Sequence, residues 1–188
     1  MLLRKWEDLP DTMKNDNVRK YYDILKKRQK SLITKRIFDF IAAIILVFIL
    51  SPILLILSIA IKLDSTGPVM FRQIRVTQYG RQFRIFKFRT MVNNADKIGT
   101  QVTVNNDARV TKVGKILRRL RLDEIPQLFN IISGDMSFVG TRPEVVKYIE
   151  QYSDGMMATL LLPAGVTSEA SIQFKDEERL LANAENAD

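Results

Sequence analysis

The longest apolar stretch of the chain runs from residue 37 to residue 61, and its one charged residue, Asp39, lies near the start. From residue 40 to residue 61 no residue is charged, and only three positions interrupt the apolar pattern: Ser51, Pro52 and Ser58. A run of about 18 or more such residues predicts a membrane-embedded helix. A buried core helix is the weaker alternative, because a domain of this size could hardly enclose the helix on every side.

Ser51 and Pro52 lie in the middle of this run. Proline removes one helical hydrogen bond and clashes with the preceding turn, and the Ser51 hydroxyl can bond a freed carbonyl group. Lys and Arg residues flank the run on both sides, which favours a cytoplasmic position for both flanks. We therefore predict a re-entrant helix, broken at Ser51-Pro52, whose two arms enter and leave on the same face. A spanning helix with a mild kink is the alternative.

Ahead of the apolar run, residues 18–36 mix apolar residues with cations. The apolar members are Val18, Tyr21, Tyr22, Leu25, Leu32 and Ile33. This pattern predicts an interfacial helix that lies on anionic headgroups, and a solvated basic helix is the alternative. Residues 1–34 are accordingly interpreted as a basic N-terminal extension.

Two β-rich runs, 69–76 and 82–91, are joined by five residues that include Gly80, which predicts a β-hairpin. Strand alternation places Lys87 and Arg89 side by side on one face of the second run. The polar residues that follow, 92–108, predict a loop or a short helix.

Residues 112–122 combine a helical apolar spacing with several arginines and predict a basic amphipathic helix. The next helix is predicted to begin at Asp123, a good N-cap, with Glu124 in its first turn, Pro126 tolerated early and Gly134 as its stop. Free N–H groups at such an end bind phosphate and lower a carboxylate's pKa. A purely structural cap at Asp123 is the alternative.

The composition limits the chemistry. The 188 residues include no Cys and no His, which excludes disulfides, thiolate or imidazole metal sites and catalysis by a Cys or His side chain. The net charge of +8 favours polyanionic partners: nucleic acid, anionic lipid or phosphorylated substrates. Arg118 precedes the adjacent carboxylates Asp123 and Glu124, and Arg142 follows on a glycine-containing loop. Such a set suits phosphoryl transfer, and adjacent carboxylates suit Mg²⁺.

Three segments together carry a family resemblance: KRIFDF with the Ser-Pro-interrupted apolar run, FKFRTM, and DARVTKVGKILRRLRLDEIPQLFNIISGDMSFVGTRP. Over about residues 35–148 the chain resembles the bacterial sugar transferases, the monotopic polyprenyl-phosphate phosphoglycosyl transferases. The resemblance implies a helix-rich α/β fold: a re-entrant membrane helix and a small catalytic domain on the cytoplasmic face of the bacterial inner membrane. It also implies Mg²⁺-dependent transfer of a sugar 1-phosphate from a UDP-sugar to polyprenyl phosphate, with release of UMP.

The resemblance also implies roles for individual residues. Asp123 matches the family's nucleophile, which forms a covalent phosphosugar intermediate in a ping-pong reaction, and Glu124 matches its partner. Lys87, Arg118 and Arg142 match phosphate-contacting residues. A carboxylate nucleophile is consistent with a chain that has no His.

The chain departs from the family pattern at two places. Thr141 replaces the first proline of the usual GPRP loop, and residues 163–174 lack a late arginine that contacts phosphate in the family. Three regions are therefore expected: the extension 1–34, the membrane helix 35–63 and a catalytic domain 64–188 that is divergent or truncated after about residue 150.

Two other functions compete with this interpretation. One is a membrane-anchored basic protein that binds nucleic acid or acidic lipid; we expect no nucleic-acid binding, because the arginines surround carboxylates and no known motif is present. The other is a scaffold without catalysis. A homo-oligomer is compatible with the sequence, which leaves the sugar, the polyprenol length and the glycan pathway open.

Overall fold

The computed structural model describes residues 3–95, 107–169 and Gln173. These residues form a helix-rich α/β structure with one long apolar helix and two-stranded sheets, which confirms the predicted fold class. The chain divides into two compact units. The first unit contains Met1–Ile49, Arg72–Ile85 and Gln127–Ser168, and the second contains Leu50–Phe71, Phe86–Pro126 and Glu169–Asp188.

The long apolar helix is α2, Gln29–Asp64, with 36 residues. Its backbone stays helical through Ser51 and Pro52, and at 1.5 Å per residue its path is about 54 Å long. Among the described residues it is the one helix that is long and apolar enough, by length and composition, to cross a membrane. The bend at Ser51-Pro52 and the re-entrant topology stay predictions.

The N-terminal segment forms a large part of the core of the first unit. Helix α1, Asp16–Lys27, starts at Asn15, whose side chain accepts a hydrogen bond from the Val18 N–H at 2.9 Å. The core cluster consists of Leu3, Leu9, Met13, Val18, Tyr22, Val76, Leu160 and Leu161. The prediction that Val18 and Tyr22 face lipid headgroups is therefore wrong, since both side chains are buried in protein. The basic segment also contains two helices rather than one.

The β-hairpin is confirmed. Strands β1, Met70–Val76, and β2, Gln82–Phe88, pair in a two-stranded sheet. Tyr79 and Gly80 have φ angles of 59° and 75°, and glycine tolerates such a conformation easily. The Thr77 N–H donates to the Arg81 carbonyl at 2.9 Å and closes the connection.

The first unit also holds the second sheet. Helix α4 comprises Gln127–Ser133 and is followed by strand β3, Met136–Val139. Strand β3 pairs in parallel with β4, Ala164–Thr167. The short helix α5, Val146–Ile149, lies between the two strands in the chain. A side chain at Gly165 would place its Cβ 2.2 Å from the Gly140 nitrogen, so this close approach requires glycine. The predicted helix stop is confirmed at Gly134, which follows α4 with φ 90°.

The core of the second unit joins the C-terminal part of α2 to helix α3, Lys112–Arg119, and to the end of β2. Ile61, Phe88 and Leu117 are buried together, and six partly buried apolar residues pack against them: Leu54, Leu57, Val69, Met70, Val113 and Leu122. Helix α3 ends three residues earlier than predicted, because Arg121 adopts a left-handed conformation with φ 52°.

Candidate active site

The central contact of the site joins two residues of the second unit that are 37 positions apart. Lys87 Nζ lies 2.7 Å from Glu124 Oε1, and the two side chains are 21% and 13% exposed. Strand β2 carries Lys87, and a 3-10 turn, Leu122–Glu124, carries Glu124. A charged hydrogen bond in such a partly desolvated place is stronger than one on the surface.

Asp123 lies in that same 3-10 turn rather than at the start of an α-helix, so the predicted N-cap is wrong. Helix α4 begins later, at Gln127, directly after Pro126. The turn follows the left-handed Arg121, which redirects the chain after α3. Asp123 is therefore not the N-cap of α4, and its role in a site stays a prediction.

The electrostatic environment of Asp123 also differs from the prediction. Burial raises the pKa of the Asp123 carboxyl above its usual range. Lys87 and Arg118 act in the opposite direction, while the neighbouring Glu124 raises the pKa further. A helix N-terminus was expected to lower this pKa, but that end of α4 lies four residues further on. The result is a poorly solvated carboxylate that faces two cations.

Arg118 is held in place by the chain segment that directly follows β2, the strand that bears Lys87. Its Nε donates to Thr90 Oγ1 at 2.9 Å. Gly114, one turn earlier in α3, packs so closely that a Cβ there would lie 2.0 Å from the Thr90 carbonyl oxygen. Sequence reasoning missed Thr90 and Gly114 as supports of the site. A glycine in the first turn of a predicted helix was the available signal, since glycine disfavours helices unless close packing needs it.

A second ion pair lies in the same unit. Asp107 and Arg109 are joined by hydrogen bonds of 2.6 to 3.1 Å from the Arg109 side chain. Arg109 Nη1 also donates to the Ala95 carbonyl at 3.1 Å. These bonds lower the pKa of Asp107 to about 2. The sequence motif contained this pair, but its structural role was not anticipated.

Two of the predicted site features lie elsewhere in the chain. Arg142 belongs to the first unit, on the exposed loop that follows β3, where the Pro143 carbonyl accepts from Arg75 Nη1 at 3.2 Å. Its contact with phosphate stays a prediction. Ser51 and Pro52 are exposed residues of α2.

The carboxylates were also predicted to bind Mg²⁺. Among the described residues, no group of three or more His, Cys, Asp or Glu side chains could hold a metal ion. Asp123 and Glu124 nevertheless form an adjacent pair, and proteins usually bind Mg²⁺ through one or two carboxylates plus the phosphates of a substrate. The donor set therefore fits a substrate-completed magnesium site.

Two carboxylates, a lysine and an arginine therefore lie in a unit that also contains the end of a membrane-length helix, and such a set of charges suits phosphoryl transfer. The chain belongs to the bacterial sugar transferase family, whose sequence profile matches residues 30–187. The match confirms the resemblance and extends it at both ends beyond residues 35–148.

Several characterised proteins are similar in sequence to this chain. The chain is 48% identical over 118 residues to the UDP-N-acetylgalactosamine-undecaprenyl-phosphate N-acetylgalactosaminephosphotransferase of Aeromonas hydrophila. These residues make up 63% of this chain and 28% of the relative. It is 44% identical over 142 residues to the UDP-glucose:undecaprenyl-phosphate glucose-1-phosphate transferase of Escherichia coli K12, covering 73% and 30%. The exopolysaccharide production protein PSS of Rhizobium leguminosarum is 41% identical over 133 residues, covering 70% and 65%. This chain thus spans less than a third of the length of the first two relatives.

Proposed function

We propose that this protein transfers a sugar 1-phosphate from a UDP-sugar to polyprenyl phosphate, in the form of undecaprenyl phosphate, and releases UMP. The observation that carries the proposal is the position of Asp123, a poorly solvated carboxylate next to Lys87, Glu124 and Arg118. Membership of the bacterial sugar transferase family and the names of the relatives support the substrates. The reaction would be the first membrane step of a bacterial glycoconjugate or exopolysaccharide pathway.

In the first half-reaction, an oxygen of Asp123 attacks the β-phosphorus of the UDP-sugar. The bond from this phosphorus to the oxygen that bridges the two phosphates breaks, and UMP leaves with the electron pair. The sugar phosphate remains on Asp123 as an acyl phosphate. A carboxylate that has lost much of its water shell is a better nucleophile, and the Lys87 and Arg118 cations offset the charge of the phosphates.

In the second half-reaction, a phosphate oxygen of the polyprenyl phosphate attacks the same phosphorus. The bond to Asp123 breaks, the carboxylate is regenerated, and the product is a polyprenyl diphosphate sugar. The two half-reactions use one phosphorus-binding site in turn. This ping-pong order requires that UMP leave before the lipid phosphate reacts.

Asp123 and Glu124 would hold Mg²⁺ together with the substrate diphosphate. When bound, the ion would neutralise part of the negative charge of the diphosphate. Lys87 fixes the Glu124 side chain through its 2.7 Å contact, so the carboxylate is oriented before substrate arrives. Arg142 would bind a phosphate oxygen from its exposed loop.

We further propose that α2 is re-entrant and that the protein is monotopic, with its active site at the cytoplasmic face of the inner membrane. The proline inside α2 and the basic residues on both flanks support this topology. A site at that face meets both a water-soluble nucleotide sugar and the headgroup of a lipid phosphate. The basic N-terminal segment would contact anionic headgroups.

The test is UMP release from a panel of UDP-sugars with Mg²⁺ and without polyprenyl phosphate. We expect one UMP per protein molecule with the correct sugar, and a mass increase of one sugar phosphate on the intact protein. UMP release that strictly required the lipid would contradict the covalent intermediate. Failure to release UMP from every sugar, with or without lipid, would favour the membrane-anchored scaffold without catalysis.

A further inference from the structure

We propose that Arg89 and Asp64 are positioning residues, which fix Lys87 and Arg118 to the C-terminal end of the membrane helix α2. The inference rests on the proposed function, because it concerns the two cations of that site. Neither residue is assigned to contact a substrate. Both act through the element that each one holds, and all the contacts involved lie within the second unit.

Arg89 is a buried cation two residues after Lys87 in the same chain segment. The loop that follows α2 surrounds its guanidinium group. Nη2 donates to the carbonyl oxygen of Ser65 at 2.7 Å and to the Ser65 hydroxyl at 2.9 Å, and Nη1 donates to the Thr66 carbonyl at 2.9 Å. The last carbonyls of a helix and of the turn after it have no helical partners, and an arginine satisfies them well.

The space for this guanidinium depends on Gly67. A Cβ at Gly67 would lie 2.2 Å from Arg89 Nη1, and the φ angle of 120° also requires glycine. Arg89 is 5% exposed, and burial lowers the pKa of its guanidinium group. Burying a cation is unfavourable unless it is hydrogen-bonded, and the loop after α2 accepts the bonds of Nη1 and Nη2, while the buried Nε has no hydrogen-bond partner among the described residues. Because Arg89 directly follows the last residue of β2 and Lys87 lies within that strand, the loop after α2 sets the position of Lys87.

Asp64 makes the corresponding contact to α3. Its Oδ2 accepts a hydrogen bond from the Val113 N–H at 2.9 Å, in the first turn of the helix. A carboxylate at a helix N-terminus is favourable both as a hydrogen-bond acceptor and through the helix dipole. The absence of a side chain at Gly114 lets α3 pack closely against Thr90, and Arg118 lies one turn further along the helix. The last residue of α2 therefore orients the helix that carries Arg118.

These contacts explain how a membrane helix sets the geometry of a site for a lipid phosphate. A change at the end of α2 would move both cations together. A shift of about 1 Å at a reacting group reduces a rate by roughly 100-fold. We therefore expect loss of Arg89 or Asp64 to slow the chemical step more than it reduces the fraction of folded protein.

The experiment is a double-mutant cycle on the burst of UMP release, measured with the full chain in lipid nanodiscs without polyprenyl phosphate. The burst amplitude counts competent molecules, and the burst rate constant reports the geometry of the site. Arg89→Met should lower the rate constant by roughly 10- to 100-fold and largely keep the amplitude. In the Lys87→Met background, Arg89→Met should lower the rate by no more than about 3-fold, because its effect acts through Lys87.

Asp64→Ala should likewise lower the rate constant in the wild type but have little further effect in the Arg118→Met background. Asp64→Asn should keep more of the rate than Asp64→Ala, because its amide oxygen can still accept a hydrogen bond from the Val113 N–H. Arg89→Lys should restore part of the rate, since an ammonium group reaches some of the same carbonyls without the planar fork. Arg84→Met is the matched control, since Arg84 is an exposed arginine on β2, five residues before Arg89, and this variant should stay within about 2-fold of wild type.

The outcomes separate the inference from the proposed function. If Lys87→Met and Arg118→Met both keep the wild-type rate, the proposed site is wrong. Suppose instead that Lys87→Met and Arg118→Met are slow. If Arg89→Met and Asp64→Ala then reduce the rate by the same factor in those variants as in the wild type, the positioning role is wrong. If Arg89→Met lowers the burst amplitude, the cycle is repeated with Ser65→Ala in place of Arg89→Met. This milder variant removes only the hydroxyl acceptor of Arg89 Nη2. The inference would also be overturned if Ser65→Ala kept the wild-type rate constant. The same holds if Ser65→Ala reduced the rate constant by the same factor in the wild type and in the Lys87→Met background.

Discussion

Ser137 Oγ donates a hydrogen bond of 2.6 Å to Asp39 Oδ2, although the two residues are 98 positions apart. Lys35 Nζ lies 2.8 Å from the same carboxylate oxygen. The one charged residue of the apolar run is therefore buried against strand β3 and paired, and it does not face lipid. This contact attaches the N-terminal part of α2 to the first unit.

We expect Ser137→Ala to destabilise the first unit by about 1–3 kcal/mol, because the substitution leaves the buried Asp39 carboxylate without its hydroxyl donor. The measurement is thermal unfolding in detergent micelles. The exposed Ser31, on the same helix as Asp39, provides the control through Ser31→Ala, which should leave the unfolding temperature unchanged. Equal unfolding temperatures for Ser137→Ala and wild type would show that the hydrogen bond does not contribute.

Asp123→Asn should fold and insert normally but abolish turnover. The substitution keeps the size of the side chain and removes the charge that attacks phosphorus, and loss of a covalent nucleophile commonly costs about 5 kcal/mol or more in barrier. The checks are multiple-turnover UMP release and the mass of the intact protein after incubation with UDP-sugar. Asp154→Asn, at an exposed aspartate, is the control and should retain activity. Turnover of Asp123→Asn near the wild-type rate would exclude Asp123 as the nucleophile.

The Asp107–Arg109 pair predicts a pH dependence of stability. The folded pKa of Asp107 is about 2, below the ordinary value of 3.8, so the pair stabilises the folded state fully above about pH 4. This contribution is lost as the pH falls from about 4 to about 2. The difference in urea midpoint between wild type and Asp107→Asn should therefore shrink over that range. A difference that stayed constant down to pH 2 would contradict the assignment.

The core of the first unit predicts that its N-terminal residues contribute strongly to stability. Met13 is 1% exposed and packs with Val18 and Tyr22 in one cluster. Met13→Ala should lower the free energy of unfolding by about 2–5 kcal/mol, because it leaves a cavity in this cluster. Denaturant unfolding followed by the fluorescence of Trp6, which packs against the cluster, measures the loss. The neighbouring Thr12→Ala, at an exposed position, should have little effect.

The re-entrant topology predicts that Lys30 and Lys112 lie on the same side of the membrane. The chain has no native cysteine, so Lys30→Cys and Lys112→Cys can each be labelled cleanly. Both exposed positions should react with an impermeant thiol reagent from the same side of sealed vesicles. Pro52→Ala should shift part of the population to a spanning helix, because it restores the missing backbone donor. Opposite accessibility of the two positions in the wild type would contradict re-entry.

The sequence was sufficient for elements whose signals are local. Strand alternation and Gly80 predicted the hairpin, and Gly134 predicted the end of α4. The position of Asp123 was predicted incorrectly, because the left-handed conformation of Arg121 has no signal in residue preferences. Likewise, the apolar residues of α1 were assigned to lipid, since spacing alone cannot distinguish a lipid partner from Leu160 and Leu161.

For the candidate site, the sequence likewise indicated the residues but not the contacts between them. The resemblance singled out Lys87, Arg118, Asp123 and Glu124, but their chemistry depends on contacts between distant segments. The 2.7 Å contact of Lys87 with Glu124 and the raised pKa of Asp123 arise from packing that no local pattern contains. Arg89 was predicted to lie beside Lys87, and only the loop around it shows that it is a buried structural cation.

The family profile begins at residue 30, whereas five of the eight residues in the core cluster of the first unit precede that position. An expression fragment trimmed to the profile would therefore lose Leu3, Leu9, Met13, Val18 and Tyr22 and would leave their partners Val76, Leu160 and Leu161 open to water. Exposed apolar surface of this kind promotes aggregation. For protein production and for the design of chimaeras between relatives, the segment from Leu3 to Tyr22 belongs to the same core as Val76, Leu160 and Leu161, and it should be exchanged together with the residues that it covers.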